Sequence, residues 1–258
     1  MKENNISIDN KILNLFGITL SCYTLEETLD RIDEAISKRE KLHIGVVNAA
    51  KTVNMRRNPK LRQDVLSSDM ILADGMAVVW ATKLLSPNPL PERVTGIDIM
   101  YGTFERGNKK GYRIFLFGAT EKVSQIVAER LQNQYPGVVL AGRRNGYFND
   151  DEEEEIAQQI AASKADILFV AITSPKKENF MARWTTTMNV PVVHGVGGSF
   201  DVMAGKVERA PMLWQKLGLE WLYRVKQEPG RLWKRYMVTN SIFCAMVLRQ
   251  YLSFKKKK

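Results

Sequence analysis

Cysteine is nearly absent from this chain: Cys22 and Cys244 are the only two among 258 residues. They stand far apart and in no metal-ligand spacing. That excludes a disulfide framework and a cysteine zinc site, and predicts two reduced thiols, as the cytoplasm keeps them. Histidine is equally scarce. His43 and His194 each lie in or beside an apolar run, where a structural role is a simpler reading than a catalytic one. Long apolar stretches are missing too. None reaches the roughly 20 residues that span a bilayer. The uncharged run from Tyr236 to Leu248 contains Thr239, Asn240 and Ser241, which suits an interface better than a crossing. The polar start from Met1 to Lys11 lacks the apolar segment of a signal peptide.

Missing motifs narrow the chemistry further. No Asp-x-Asp pair occurs, so a metal–diphosphate clamp has no obvious ligands. The run Gly195-Val196-Gly197-Gly198-Ser199-Phe200 resembles a dinucleotide fingerprint, but Phe200 stands where the last glycine belongs, and the NAD reading lapses with it. Gly197 and Gly198 still let backbone N–H groups approach a diphosphate. Zinc-finger spacing and RNP-like strands are absent, so no nucleic-acid partner is expected despite the basic charge.

What is present is an ordinary globular composition, 45% hydrophobic and 26% charged, with an uneven charge distribution. Residues 205–258 hold 13 Lys/Arg against 3 Asp/Glu, and the preceding 204 residues sum to zero. The same segment carries Trp214, Trp221, Trp233, Leu217, Leu222, Tyr236 and Phe243. Cations interleaved with Trp and Leu suit an anionic lipid surface. The domain expectation is therefore a core over 1–204 and a basic, amphipathic, membrane-docking appendage over 205–258.

Within the core, apolar runs of strand length alternate with helix-like stretches. The strands are expected at Leu42–Asn48, Met70–Ala73, Tyr112–Phe117, Val138–Ala141, Asp166–Ile172 and Val190–His194. Lys60–Ser68 reads as helical, Thr120 with Glu121 opens a helix to about Gln134, Asn149-Asp150 caps an acidic helix, and Pro175 starts another. Unalternated apolar strands separated by helices predict an α/β fold with a parallel sheet covered on both faces. Ligands of such sheets sit beyond the carboxyl ends of the strands. That rule selects the loops at Asn48–Asn54, Asp74-Gly75, Gly118–Thr120, Thr173–Glu178 and Gly195–Asp201.

Two of the candidate motifs have plain alternatives. Asp74 at a strand end is a candidate general base, or simply the Asp of an Asp-Gly turn or helix cap. Glu92-Arg93-Val94-Thr95-Gly96-Ile97-Asp98 offers Arg93 for a phosphate and Asp98 at a helix start, or is a capped surface loop.

In order along the chain, Thr52-Val53-Asn54, Ala73-Asp74-Gly75, Arg93-Val94-Thr95-Gly96-Ile97-Asp98 and the long signature from Gly195 to Tyr236 resemble the WecG/TagA/CpsF family of bacterial glycosyltransferases, glycosyltransferase family 26. The resemblance runs from about Ile12 to Val238. It implies a Rossmann-like core and an inverting, metal-independent hexosyltransferase with no cofactor. The implied reaction moves a sugar from a UDP-sugar to a polyprenyl-diphosphate-linked saccharide at the cytoplasmic face of the membrane. The product classes are exopolysaccharide, capsule, teichoic acid linkage or common-antigen type. Carried over residue by residue, Asp74 is the base and Thr52 and Asn54 are substrate residues. Arg224, Arg231 and Arg235 are the arginines that the appendage brings to the site. One position departs: Thr173-Ser174-Pro175-Lys176-Lys177-Glu178 has Lys177 where the family often has Gln. The cation there points to an anion, either the donor diphosphate or a uronic-acid carboxylate, or else Lys177 pairs with Glu178. Two other classes stay open on the residues alone, a nucleotide-binding oxidoreductase and a non-catalytic membrane adaptor. Oligomeric state is not legible.

Overall fold

The computed structural model describes residues 11–255, apart from the side chains of Arg231 and Phe254. Residues 1–10 of the polar start and the last three lysines, read above from sequence, lie outside the described residues. The chain opens with a hairpin, β1 (Ile12–Leu15) and β2 (Ile18–Ser21), then α1 (Leu25–Lys38), β3 (Leu42–Val47), α2 (Ala49–Arg57), α3 (Pro59–Leu66) and β4 (Met70–Ala73). It continues through α4 (Met76–Leu85), α5 (Gly96–Lys110), β5 (Arg113–Gly118), α6 (Glu121–Gln134), β6 (Val139–Arg144), α7 (Glu153–Ala162) and β7 (Ile167–Ala171). Next come α8 (Lys176–Met188), β8 (Val192–Gly195) and α9 (Ser199–Met203), and the basic segment forms α10 (Met212–Lys216), α11 (Glu220–Gln227) and the long α12 (Pro229–Lys255).

The main sheet has six strands in the order β4-β3-β8-β7-β5-β6, with every neighbouring pair parallel. Its inner strands are largely apolar on both faces because both are covered, whereas the edge strand β6 is part-exposed and ends in Arg143 and Arg144. Ile114 and Leu116 of β5 pack with α1, α5, α6 and α9, while Phe115 and Phe117 of the same strand pack with α7 and α8. Period-two side-chain direction turns one continuous apolar run into two cores. Beneath the β3–β4 end, Val47, Ile71 and Ala73 meet α2, α3, α4 and the hairpin. Burying the Leu13, Leu15, Ile18 and Leu20 side chains there gives the hairpin its reason to fold.

Helix starts follow the capping chemistry. Thr24 and Glu27 form a reciprocal box at α1, Thr120 accepts from the Val123 N–H at α6, and Asn58 precedes Pro59 at α3. The basic segment does not stand off the core. Helix α12 packs along α2 and α4, burying Phe243 and Met246 in the same cluster as Val53 and Val78. Phe243 meets Phe16 of the hairpin turn edge-on at 5.8 Å. No helix among the described residues is long and apolar enough to cross a membrane.

Candidate active site

Four neighbouring strands, β4, β3, β8 and β7, end on the same side of the sheet, and their loops enclose a cleft of about 740 Å³. Its fourth wall is the appendage: Glu220 and Arg224 of α11 and Arg235 and Tyr236 of α12 line it opposite the strand ends.

Asp74 lies at the end of β4, held by its own N–H to the Val47 carbonyl of β3 at 2.9 Å. The Asn48 side-chain amide lies 3.4 Å from the Asp74 carboxylate. Asn48 also caps α2 by accepting from the Lys51 N–H at 3.0 Å, so one residue fixes a helix start and faces the carboxylate. Burial raises the Asp74 pKa. Arg224 pulls it back down, Glu220 raises it, and Lys51 and Arg93 lower it, with a net upward shift. A carboxyl with raised proton affinity at the floor of a cleft is what general-base work needs.

Lys177 is only 6% exposed and still lines the cleft. It reaches there because position 195 carries no side chain: a Cβ on Gly195 would lie 2.8 Å from the Lys177 methylenes. Gly197 has φ +54°, the left-handed region, so this turn depends on glycine twice. Burial and the Lys51 charge push the Lys177 pKa down to about 8, against the pull of Glu178 and Asp74. Glu178 lies 3.5 Å from Lys177 and 2.8 Å from Lys51, so two ammonium groups share one carboxylate. Burial would raise Glu178, but Lys51 and Lys177 together hold it low. His43 and His194 are buried in β3 and β8, and desolvation lowers each pKa to about 4. The His194 Nδ1 lies 3.1 Å from the Ile44 carbonyl and ties the two strands together.

Of the residues expected from sequence, the cleft wall brings together Asp74, Asn54, Lys177, Gly197, Gly198, Arg224 and Arg235. Four others do not line it. Thr52 is turned into the core at 2% exposure. Arg93 is engaged by Glu220 at 2.6 Å and Gln215 at 3.2 Å. Asp98 accepts from the Thr95 hydroxyl at 2.6 Å and from Arg209 at 2.5 Å. Glu178 sits behind Lys51 and Lys177. The Arg231 side chain lies outside the described residues. Asn48 and Lys51 fall in the Asn48–Asn54 loop that the strand-end rule selects, and Glu220 falls in the Gly195–Tyr236 signature, but none of the three was assigned a role from sequence. Among the described residues no three His, Cys, Asp or Glu side chains converge as a metal site would need.

A parallel α/β sheet with a carboxylate and several cations in one cleft at its strand ends has the layout of an α/β protein that binds its ligand beyond the carboxyl ends of its strands. The particular class is given by sequence comparison: residues 13–257 match the model of the glycosyl transferase WecG/TagA/CpsF family, and the chain belongs to that family. It is therefore a glycosyltransferase by family. Over 199 residues the chain is 35% identical to the N-acetylglucosaminyldiphosphoundecaprenol N-acetyl-beta-D-mannosaminyltransferase of Bacillus spizizenii, covering 77% of this chain and 76% of that one.

Proposed function

We propose that the protein is an inverting, metal-independent hexosyltransferase. It takes a sugar from a UDP-sugar and places it on a polyprenyl-diphosphate-linked saccharide during cell-surface polysaccharide synthesis. The observation that carries this reading is the position of Asp74, a carboxyl of raised proton affinity facing the cations of the appendage across one cleft. In a single displacement, Asp74 takes the proton of the acceptor hydroxyl while the nucleoside diphosphate leaves from the opposite face of the sugar. The growing diphosphate charge meets Lys177, Arg224, Arg235 and the backbone of Gly197 and Gly198. The named relative supports the acceptor class, since its name specifies an undecaprenol-diphosphate-linked N-acetylglucosamine and a β-linked product. A β product from an α-linked nucleotide sugar is the outcome of one displacement.

The lipid acceptor places the reaction at the inner face of the plasma membrane, with the appendage as the peripheral docking surface. The test is a panel of UDP-sugars, among them UDP-glucose, UDP-N-acetylmannosamine and UDP-glucuronic acid, with a synthetic polyprenyl-diphosphate N-acetylglucosamine. Products are read by mass spectrometry and the anomeric configuration by NMR. Asp74→Asn is expected to cut turnover by ~10²–10⁴ with donor binding little changed. Near-normal turnover in that variant, or an α-linked product, would overturn the mechanism.

A further inference from the structure

The appendage is fastened to the core by charge at both ends of one short segment. At the far end Arg209 reaches Asp98. At the near end Arg93 donates 2.6 Å to the Glu220 Oε2 atom. The other oxygen of Glu220, Oε1, lies 3.4 Å from Arg224 one helical turn along α11. One carboxylate thus joins a guanidinium of the core to a guanidinium of the cleft. The core side of this joint is rigid, because the next residue, Val94, donates to the carbonyl of Ala73, the residue before Asp74. Arg93 and Glu220 are also well shielded, at 13% and 17% side-chain exposure, so neither charge is well solvated without the other.

We propose that Glu220 is a positioning residue of the transfer reaction. Its two oxygens yoke Arg93 to Arg224, and so hold the Arg224 guanidinium across the cleft from Asp74. The proposal rests on Asp74 being the base. An eight-residue helix such as α11 is too short to hold its own place. Its docking must come from contacts, and Glu220 is where that docking meets the chemistry. The charged groups that act on Asp74 are Lys51 of α2, Arg93, Lys177 of α8, and Glu220 and Arg224 of α11. Arg57 of α2, Asp201 of α9, Glu228 and Arg235 line the same cleft. Glu220 is thus an anion that touches both arginines.

The experiment compares full-length wild type, Glu220→Gln, Glu220→Asp and Arg93→Gln, with the pH dependence of kcat/KM measured for a donor active in the wild type. Glu220→Gln removes an anion near Asp74 while the cations remain, so the acid limb moves to lower pH. Arg93→Gln removes a cation and moves the limb to higher pH. Glu220→Asp keeps the charge but is too short to span both guanidinium groups. There kcat falls roughly 10–100-fold, the usual cost of a misplaced group, while the limb stays near its wild-type position. Because the Asp variant preserves the charge, it also serves if Glu220→Gln fails to fold. The double variant Arg93→Gln/Glu220→Gln is expected to be no slower than the worse single variant. Additive losses, or a rise in KM with kcat unchanged, would mean that Glu220 binds substrate directly and end the yoke. Asp74→Asn separates the two claims. If it abolishes turnover while Glu220→Gln leaves the limb in place, only the yoke fails. If it retains turnover, the base assignment fails first.

Discussion

Lys177 should destabilise the unliganded protein at neutral pH, and removing its charge should stabilise the fold. The side chain is 6% exposed, and its carboxylate neighbour at 3.5 Å is already claimed by Lys51 at 2.8 Å. The pKa falls from 10.5 to about 8, chiefly through burial. Below pH 8 the group is charged in both the folded and unfolded chain, and the folded state carries the full cost. As pH rises from 8 to 10.5 the folded protein loses this proton first, so its stability increases across that window. The gap corresponds to roughly 3 kcal/mol, as an upper estimate. Lys177→Met keeps the chain length, drops the charge and leaves Glu178 its stronger partner. Urea unfolding at a series of pH values is expected to find the Met variant more stable by ~1–3 kcal/mol at pH 7, with the advantage vanishing by about pH 10.5. A Met variant less stable than wild type at pH 7, or two parallel profiles between pH 8 and 10.5, would refute the reasoning. The same cation bears on the donor. If it reads the diphosphate, Lys177→Gln weakens UDP-glucose and UDP-glucuronic acid alike. If it reads a uronic carboxylate, the ratio of their kcat/KM values changes.

Two further outcomes follow from how the basic segment packs. Phe243→Ala removes a ring that is 3% exposed and edge-on to Phe16. It should cost about 3–5 kcal/mol in urea unfolding, and a loss below ~1 kcal/mol would mean that α12 is not docked in solution. Trp233 of α12 is 56% exposed, and Trp233→Glu should weaken sedimentation with anionic vesicles without lowering stability. Wild-type sedimentation should itself fade as salt shortens the screening length below roughly 8 Å, and salt-insensitive sedimentation would point away from electrostatic docking.

The central strands were legible because each is a mostly apolar run of strand length, with His43, His194 and Arg113 as the few polar members. The predicted ends of β3, β5 and β7 differ from the observed ones by a residue or so. The hairpin was not legible, and its turn shows why. Phe16 and Gly17 both take positive φ, at 54° and 70°. A hairpin of this kind announces itself with Asn-Gly or Asp-Gly, and a phenylalanine in the first place hides it. At α5 the sequence placed Asp98 at a helix start, and it does lie in the first turn, where the cap Thr95 accepts from the Asp98 N–H. In the site, Asp74 and the glycine turn were readable as strand ends. The pairings Arg93–Glu220 and Lys51–Glu178 each join residues 127 positions apart. No local pattern encodes such a contact, and only the folded sheet brings those loops together.

The charge of the tail, which sequence presents as one block, divides into two populations once folded. Arg209 answers Asp98, Lys206 answers Asp201 and Arg224 answers Glu220, so these cations are committed to core and cleft. Lys216, Lys226, Lys234 and Arg249 are exposed. The apolar residues of α12 divide in the same way. Leu232, Phe243 and Met246 are buried, whereas Trp233, Met237, Leu248 and Leu252 are 45–58% exposed. A helix apolar on two sides shows weak amphipathic periodicity, so sequence alone could not say which side docks on the protein. The core accounts for one side. Exposed Trp, Met and Leu beside unpaired lysines are left over, with Met212, Leu213 and Leu217 of the α10 region adding to them. Core packing does not require that surface, whereas a peripheral contact with anionic lipid does. On that proposal, lipid meets the second population of cations while the first stays on the cleft, so docking and chemistry use different charges of the same segment.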